Sequence, residues 1–408
     1  MDTSAHNNSS PMAASSEKLL SLVEQIKQSI LCENGPSPQT HSHLLGLIDQ
    51  LRGAVETPTE TILRLIYQPP QNAALRTVVD MGIFPLLVDS GETGVSAGEL
   101  AKRIGAEKEL IVRLMRIVSA LGLCSNPELE VYRPTDKTAI MTGATGRDGV
   151  SCLYDLTLPT LAKLPDYFRE HGYACPQDYD RSPMQWAVGQ SQFEWLADRP
   201  QHQSLFNSYM ASRRHGKPSW FDVYPVQRLM EDARSDEGSV LLVDIGGNQG
   251  HDLIKFQKRF GSKAGRLVLQ DLPGIAVCSH PGIEVMEYSF FDPQPIYDAR
   301  IYYFRAIFHD WPDHICRAIL RNTVSAMDAE YSRIIIADFV LPDTNASLLQ
   351  ASMDIQMMSI GAGVERSERQ WRELLHSVGL EIREIRGGSP GMESVIEAAV
   401  VNPKLEKL

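Results

Sequence analysis

The sequence is poor in cysteine and in positive charge. Its 408 residues include six cysteines, none of which forms a CxxC pair, so the spacing suggests neither a disulfide framework nor a zinc site. Lysine and arginine number 39 against 51 for aspartate and glutamate, which gives a formal net charge of −12 at pH 7. Because an acidic chain repels phosphate backbones, we expect no nucleic-acid partner.

Long apolar runs are absent as well. No stretch reaches the roughly 18 apolar residues of a membrane-spanning helix, so we expect no membrane association. The first 16 residues, MDTSAHNNSSPMAASS, contain no apolar segment typical of a signal peptide. The scattered cysteines fit a reducing compartment, and we expect a cytoplasmic protein. Residues 1–15, rich in Ser, Asn and Ala, are predicted to form a disordered tail.

Helical periodicity begins at residue 16. The segment SEKLLSLVEQIKQSIL (16–31) places apolar residues at helical spacing, and a second helical stretch covers about 43–55. Two amphipathic helices need a surface to cover. That surface could belong to their own domain or to a partner subunit.

The segment 57–145 is predicted to be a helical module. Three helices followed by a β-wing are the order of a winged-helix unit, and Ser96 with Glu99 has the spacing of a capping box. The candidate recognition helix, 108–121, carries only three basic residues close to two acidic ones, which disfavours DNA binding. We therefore assign 16–145 to dimerisation and to covering a substrate.

The following segment, 146–235, is helical and rich in aromatic residues. Most of these will be core, but some could wall a pocket for an aromatic or polyketide-like molecule. Methionines suit an adaptable pocket wall. The pocket-wall candidates, taken from this segment and from a later helix, are Met184, Trp186, Phe193, Met210, Trp220, Met353 and Met357.

The pattern changes in the last segment, 236–408. Short apolar runs alternate with helical stretches, which predicts an α/β fold with a parallel sheet. The last two runs, GLEIREIRG and ESVIEAAVV, are close enough to pair as an antiparallel hairpin. The predicted strands are SVLLVDI (239–245), GRLVLQDL (265–272), ARIYYF (299–304) and YSRIIIAD (331–338).

A glycine loop, VDIGGNQGHDL (243–253), follows the first of these strands. No Lys-Ser/Thr follows its last glycine, which excludes a Walker loop, and Asn248 and His251 replace two glycines of the dinucleotide fingerprint. The loop fits the D/E-x-G-x-G-x-G pattern of methyltransferases that use S-adenosylmethionine (SAM), with Asp244 and Gly246 in place. There Asn248 replaces the middle glycine, and asparagine tolerates positive φ. A structural alternative is a tight strand–helix turn with a capping aspartate.

An acid stands at the end of the next strand. Asp271 lies 21 residues after Gly250, and a carboxylate there can accept the two hydroxyl protons of a ribose. Methyltransferases share this pairing of loop and strand-end acid with NAD enzymes.

A candidate base lies in FRAIFHDWPDH (304–314). His309, followed by Asp310, lies beyond the carboxyl end of a strand and could take a proton from a phenol or enol. Two acids on the same edge could hold its ring, Asp338 at the end of RIIIAD and Glu365 in GAGVERSERQW. An isolated histidine would more often be structural, but the strand-end acids favour catalysis.

Five motifs now form a recognisable set, namely VDIGGNQG, DLP, FHDWPD, ADFVLPD and GVERSERQW. In this order and spacing they resemble the plant caffeic-acid-type and fungal secondary-metabolite O-methyltransferases, over about residues 57–401. The resemblance implies a SAM-binding, Rossmann-like parallel sheet with an antiparallel C-terminal hairpin. It also implies a mostly helical winged-helix domain before the sheet, which forms a homodimer and lends residues to the partner's pocket.

The resemblance also implies roles for individual residues. His309 corresponds to the general base, and Asp338, Glu365 and Asp310 accompany it. The product would be S-adenosylhomocysteine (SAH), and no metal is needed, since no ligand cluster for one is visible. The implied SAM contacts are Asp244, Gly246, Gly247, Asp271, Leu272, Ser289, Phe290 and Arg305.

Two positions depart from the family pattern. Asn248 replaces a loop glycine, and Ser289 stands where the family usually has an aspartate that bonds the adenine amino group. Serine still accepts a hydrogen bond, though more weakly than a carboxylate. Phe290 is therefore a stacking candidate for the adenine.

The resemblance leaves a second function open. Some fungal members keep the fold but perform dehydration and pericyclic ring formation, with SAM bound as a cation and not consumed. The intact set of His309, Asp310, Asp338 and Glu365 favours methyl transfer.

Overall fold

The structure is a computed structural model, and the predicted tail, 1–15, lies outside the residues that it describes. The described residues are 16–31, 38–214, 216–236, 238–274, 280–387 and 392–401.

Two compact units make up the described chain. One holds the residues up to Tyr154 together with Ser204–Ser212, and the other holds Asp155–Gln203 and the residues from Arg213 onwards. The segment 146–235 is thus divided between the two units. The division of the chain into tail, dimerisation, linker and SAM-binding segments stays a prediction.

Helices provide most of the regular structure. Those of the N-terminal part are α1 (Ser16–Leu31), α2 (Pro38–Val55), α3 (Pro58–Ile66), α4 (Gln68–Asp80), α5 (Ile83–Ser90), α6 (Ala97–Ile104), α7 (Lys108–Ala120), α8 (Asp136–Ile140) and α9 (Gly149–Leu161). Those that follow are α10 (Leu164–Glu170), α11 (Pro183–Val188), α12 (Gln192–Ala197), α13 (Pro200–Arg214), α14 (Trp220–Val223), α15 (Gln227–Glu231), α16 (His251–Phe260), α17 (Asp313–Val324), α18 (Leu348–Gly361) and α19 (Glu368–His376). None of the helices within the described ranges is both long enough and apolar enough to cross a membrane.

A small antiparallel sheet accompanies the helices of the first unit. Its strands are β1 (Val95–Ser96), β2 (Cys124–Glu128) and β3 (Val131–Pro134), in the order β1-β3-β2. This arrangement matches the predicted winged-helix order. Ser96 caps α6 as predicted, since its hydroxyl accepts the N–H of Glu99 at 3.2 Å. The carboxylate of Glu99 pairs with Arg103, so only one half of the capping box forms.

The second unit is built on a seven-stranded sheet in the order β6-β5-β4-β7-β8-β10-β9. Neighbours among β4 to β8 pair in parallel, and β10 is antiparallel to both β8 and β9. The predicted parallel sheet and C-terminal hairpin are therefore confirmed. The strands are β4 (Val240–Ile245), β5 (Arg266–Asp271), β6 (Ile283–Glu287), β7 (Ile301–Arg305), β8 (Arg333–Asp338), β9 (Leu380–Arg386) and β10 (Ser394–Val400).

The edge strand β6 was not predicted from the sequence. Its sequence, IEVME, contains two glutamates and buries only Ile283, so it lacks the continuous apolar run that marks the neighbouring strands.

Successive residues of the central strands point to opposite faces of the sheet, and each face packs into its own hydrophobic core. Tyr302 and Phe304 pack on one face with α17 and α19. Ile301 and Tyr303 pack on the other face with α14, α15 and α16. The second unit therefore has three layers, with helices on both faces of the sheet.

The strand order reverses between β4 and β7. On one side of β4 the sheet continues with β5 and β6, and on the other side it continues with β7, β8, β10 and β9. In open α/β sheets, ligands bind outside the carboxyl ends of the strands at such a point. The loop after β4 and the turn after β7 are therefore placed together at the expected ligand edge.

Candidate functional site

The glycine loop joins β4 to α16 in a left-handed turn. Gly246 has φ 74°, Asn248 has φ 53° and Gly250 has φ 72°. The prediction that asparagine can keep the turn at position 248 is confirmed, because Asn248 adopts the positive φ that a glycine would otherwise supply.

Close packing beneath the loop requires the glycine at position 247. A Cβ on Gly247 would lie 2.5 Å from the Asp244 carboxylate and 2.5 Å from Cδ1 of Leu269. Asp244 is 2% exposed. Burial, with the charge of Asp252 nearby, raises the pKa of Asp244 well above its usual range. The loop thus rests on a buried carboxyl group.

The strand-end acid Asp271 is fixed by the same loop. Its Oδ2 accepts the N–H of Asn248 at 2.8 Å, and its Oδ1 accepts the N–H of Leu272 at 2.7 Å. A carboxylate offers about four acceptor positions, so roughly two remain for a ligand. Leu272 is half exposed beside it. The glycine loop and the strand-end acid Asp271 are therefore in direct contact.

The basic residue Arg305 is held in a buried ion network. Its Nη1 donates to both carboxylate oxygens of Asp252, at 2.9 and 3.0 Å, and its Nε donates to Glu393 at 2.8 Å. Tyr303 also donates its hydroxyl to Asp252 at 3.1 Å. Asp252 lies in the first turn of α16, so this network attaches the helix that follows the glycine loop to the end of β7.

The candidate base His309 lies in a short 3-10 turn, Phe308–Asp310, just after β7. Its side chain is 12% exposed, and its Nδ1 is 2.9 Å from Oε1 of Glu365. Asp338 Oδ1 is 4.0 Å from the same nitrogen, and Asp310 Oδ1 is 3.6 Å from Nε2. Only the first of these is a hydrogen bond by distance. The structure thus brings together all four residues of the predicted catalytic set.

These charges decide the protonation of the imidazole. Burial alone would lower the pKa of His309, but the charges of Asp310 and Asp338 and the hydrogen bond to Glu365 outweigh it and raise that pKa to about 10. Burial also raises the pKa of Asp338 to about 7. Without ligands, the imidazole is therefore protonated at neutral pH, and Nδ1 donates to Glu365.

Two carboxylate oxygens of the cluster have no hydrogen-bond partner among the described residues. They are Oδ2 of Asp338 and Oε2 of Glu365, and both side chains are only 1% exposed. Donor atoms of His309, Asp338 and Glu365 lie within 4.8 Å of one another, a spacing that could hold a metal ion. The expected absence of a metal stays a prediction.

An aromatic cluster surrounds Trp311, two residues after the base. Its ring centroid is 5.7 Å from Tyr179, 5.4 Å from Phe291 and 6.3 Å from Phe290, and Tyr179 in turn stacks on Phe193 at 6.1 Å. We call these five residues the aromatic cluster. Phe193 and Phe291 are about half exposed, so its rings are available to a ligand.

The adenine candidates are placed at the start of the loop after β6. The hydroxyl of Ser289 accepts the N–H of Phe291 at 3.3 Å and so shapes this loop. Phe290 packs partly against the core. Both side chains are half-buried, and their contact with adenine stays a prediction.

The pocket-wall candidates fall into different environments. Met184 on α11 is fully buried, and α11 packs against α18, which carries the half-buried Met353 and Met357. Trp186 is 36% exposed and packs edge-on against Tyr167.

The two remaining candidates lie elsewhere. Trp220 is 4% exposed and stacks on Tyr303 at 5.0 Å and Phe256 at 5.8 Å, which makes it a residue of the core between α14, α16 and the sheet. Its surroundings give it a packing role. Met210 lies on α13 within the first unit and is half-buried.

Several residues of the site were not identified from the sequence. Asp354 on α18 accepts the N–H of Glu365 at 2.9 Å, and Arg366 is buried directly behind the turn that carries His309. Their signals were present as an acid inside the apolar helix SMDIQMM and a charge next to Glu365. Tyr179 of the aromatic cluster stood out only as one aromatic residue among many.

Comparison with known families gives two matches. A family of O-methyltransferase domains matches residues 164–381, and a family of O-methyltransferase dimerisation domains matches residues 68–142.

Named relatives cover most of the chain. Methyltransferase cfoC of Aspergillus candidus is 34% identical over 378 residues, which are 91% of this chain and 93% of the relative. Demethylsterigmatocystin 6-O-methyltransferase of Aspergillus parasiticus is 34% identical over 341 residues, which are 83% of this chain and 87% of that protein.

Solved structures show the same fold. A structure described as a pericyclic reaction enzyme has a TM-score of 0.82 at 29% identity and covers 94% of this chain and 100% of its own. LepI in complex with SAM has a TM-score of 0.82 at 29% identity and covers 94% and 99%. OxaC in complex with SAH and oxaline has a TM-score of 0.79 at 26% identity and covers 94% and 98%. These similarities confirm the predicted resemblance and identify SAM as the cofactor.

The residues at the ligand edge fit this cofactor. Gly246 and Gly247 let the loop backbone pack closely against Ile307 and Asp244, and Asp271 keeps free acceptor positions suited to ribose hydroxyls. Three carboxyl groups surround the single imidazole of His309, so the cluster can carry more negative than positive charge, which favours a cation nearby.

Proposed function

Because the chain belongs to the O-methyltransferase family, we propose that it methylates a hydroxyl group of an aromatic or polyketide-type small molecule, with His309 as the general base. The observation that carries the proposal is the hydrogen bond between Nδ1 of His309 and the buried carboxylate of Glu365. In the neutral imidazole, with the remaining proton on Nδ1, it leaves Nε2 as the ring nitrogen that can take a proton from the substrate.

The residues would act as follows. Glu365 fixes the ring and stabilises the imidazolium once a proton has been accepted, and the nearby Asp338 adds to that stabilisation. SAM, when bound, supplies an electrophilic methyl group on a sulfonium. General-base assistance by His309 is worth about 10²–10⁴-fold in rate. Correct placement of the reacting groups is worth roughly 7–11 kcal/mol and is the larger contribution.

The cofactor would be held at the glycine loop. Gly246 and Gly247 offer backbone, Asp271 and Leu272 the ribose side, and Ser289 with Phe290 the adenine side. Asp244 would support the glycine loop from beneath, where it is buried. Arg305 would support the helix that follows the loop, through its ion pair with Asp252. Arg305 already has two carboxylate partners, so its part is to keep α16 in place.

The substrate class is supported by the aromatic cluster. A planar ring can stack among Tyr179, Phe193 and Trp311, next to the turn that carries His309. The names of the relatives agree with this class, because one acts on demethylsterigmatocystin and OxaC was crystallised with oxaline.

Methyl transfer from isotope-labelled SAM to a panel of hydroxylated aromatic compounds tests the proposal. We expect His309→Ala to retain SAM binding and to lose most of the transfer rate, about 10²–10⁴-fold. Near wild-type transfer by this variant would refute the base assignment. No labelled product from any member of a broad panel would count against the reaction itself.

A second function, dehydration with pericyclic ring formation, is favoured by the three carboxyl groups around His309, which stabilise a protonated ring. His309 with a pKa of about 10 holds a proton at neutral pH, and an acid that can donate this proton would assist the loss of water. The similarity to a pericyclic reaction enzyme points in the same direction. SAH measured against product separates the two functions, because methyl transfer forms one SAH per product and the alternative forms none.

The family's dimerisation domain supports a homodimer formed through the N-terminal part of the chain. Among the described residues of 16–67, only Leu22 and Leu47 are buried. A second copy of this chain would cover the apolar side chains that are left exposed. These are Leu20, Val23, Ile30, Leu31, Leu45, Ile48, Val55, Ile62, Leu63, Leu65, Ile66 and Tyr67.

Light scattering after gel filtration tests this surface. We expect Val23→Glu with Ile48→Glu to shift the mass toward a monomer, because each change buries a charge in the interface. The matched control is Tyr297→Glu, at a residue that is 66% exposed and lies outside both this surface and the dimerisation-domain match, 68–142. An unchanged mass in the double variant would contradict the assignment. A cytoplasmic location and the absence of a nucleic-acid partner stay predictions.

A further inference from the structure

A buried guanidinium lies behind the turn that carries His309. Arg366 is 1% exposed, and it donates from Nη1 to the carbonyl of Phe308 at 2.7 Å and from Nη2 to the carbonyl of Trp311 at 2.8 Å. These two carbonyls stand on either side of His309 in the sequence. One side chain therefore holds the backbone before and after the base.

The two residues that precede Arg366 also bind the turn that carries His309. Val364 donates its N–H to the carbonyl of His309 at 2.9 Å, and Glu365 binds the imidazole at 2.9 Å. Three consecutive residues thus hold the same turn, one through the ring and two through the backbone. The position of the ring relative to Glu365 depends on all three contacts.

The guanidinium is itself fixed in direction. Its Nε donates to Oδ1 of Asp313 at 3.0 Å, its Nη2 lies 3.2 Å from Sγ of Cys316, and its Cζ lies over the ring of Trp371, 5.5 Å from the centroid. Lysine could not reproduce this set, because an ammonium lacks the rigid planar fork of donors. The site requires arginine for its shape as well as for its charge.

We propose that Arg366 is a positioning residue that aims Nε2 of His309 at the substrate by clamping the turn Phe308–Trp311. This rests on the proposed function of His309 as the group that exchanges the proton. Arg366 itself donates no hydrogen bond to the imidazole or to the unpartnered carboxylate oxygens of Asp338 and Glu365. Its effect passes through the backbone to the contact between His309 and Glu365.

The test measures the titration of His309 by NMR in protein with isotope-labelled histidine. The signal is assigned by its loss in His309→Gln. We expect Arg366→Lys to lower the pKa of His309 by one unit or more, because a looser turn weakens the contact with Glu365. SAH affinity, measured by calorimetry, should change by less than threefold, since the glycine loop is not part of the clamp and SAH carries no sulfonium charge. The control is Arg372→Lys on α19, whose exposed side chain pairs with Glu368 and should leave the titration unchanged.

A folded Arg366→Lys protein with an unchanged His309 titration would overturn the proposal. If this variant does not fold, Asp313→Asn decides instead. This change keeps the guanidinium of Arg366 and removes its charged partner, the carboxylate of Asp313, whose side chain is 45% exposed. A smaller fall in the pKa of His309 supports the clamp, and no change overturns it. The titration needs no substrate, so it separates a failure of the clamp from a failure of the proposed reaction. With an active substrate in hand, Arg366→Lys should cost little further rate in the His309→Ala background.

Discussion

Asp271 and Asp338 each end a parallel strand of the same sheet, yet the two carboxyl groups differ in exposure and in hydrogen bonding. Asp271 is half-buried, and both of its oxygens accept backbone N–H groups. Asp338 is 1% exposed, and only one of its oxygens accepts an N–H, that of Phe339 at 2.9 Å. The first acid is orientated and open to a hydroxylated ligand, while the second is enclosed beside an imidazole.

The difference shows how one sheet edge can serve two purposes. Backbone donors and access to solvent suit a carboxylate that must accept hydrogen bonds from a cofactor. Burial with few hydrogen-bond donors raises the pKa of Asp338 to about 7, so this carboxyl group can hold a proton near neutral pH. We call these the cofactor centre, around Asp271, and the proton centre, around His309. If they are separate, variants in one should leave the other intact.

The largest effect is expected from Glu365→Gln in the proton centre. An amide cannot stabilise the imidazolium as a carboxylate does, so the transfer rate should fall about 10²–10³-fold, within the range for general-base catalysis. SAM affinity should stay within a few-fold of wild type. Steady-state rates and calorimetry measure the two quantities, and a large loss of SAM affinity would break the separation of the centres.

Asp271→Asn should give the reverse pattern. Replacing a charged acceptor costs about 1.5–3 kcal/mol, or roughly 10–150-fold in SAM affinity. At saturating SAM the transfer rate should change only a few-fold, because His309 keeps its partners. A rate that remains depressed at saturation would show that the two centres are coupled.

Coupling is expected at one point, through charge. The methyl donor must come within reach of the oxygen that His309 deprotonates, so the sulfonium of SAM disfavours the imidazolium. Since the pKa of His309 is raised to about 10, the proton is bound below that pH, and SAM affinity should rise as pH increases from 7 to 9. SAH lacks the positive charge and should show a flatter profile. Calorimetry of both ligands in buffers of different ionisation enthalpy tests this, and identical profiles would contradict it.

The smallest effect is expected from Asn248→Gly in the cofactor centre. Glycine adopts the φ of 53° without strain, so stability and SAM affinity should change by less than about 1 kcal/mol. Asn248→Val is the informative partner variant, because a β-branched residue is a genuine outlier at positive φ. Thermal unfolding and SAM binding should both suffer in that variant, and an unaffected valine variant would show that the turn is not required.

The sequence was most informative where chemistry coincides with the end of a strand. The glycine loop, Asp271, His309 and Asp338 could be found because each follows an apolar run, and Glu365 could be found through its motif. Asp354 and Arg366 could not be assigned roles in the same way. Their contacts join residues that are distant in the chain, and neither apolar periodicity nor the end of a strand marks them.

The exposed apolar face of the N-terminal helices makes enzyme concentration an experimental variable. Among the described residues of α1 and α2, only Leu22 and Leu47 are buried, so the packing of these two helices gains too little free energy to offset the entropy of ordering them. If a second chain supplies the missing contacts, mass action sets the ordered fraction. Specific activity measured at nanomolar enzyme would then be lower than at micromolar enzyme, so dilution series should precede any comparison of variants.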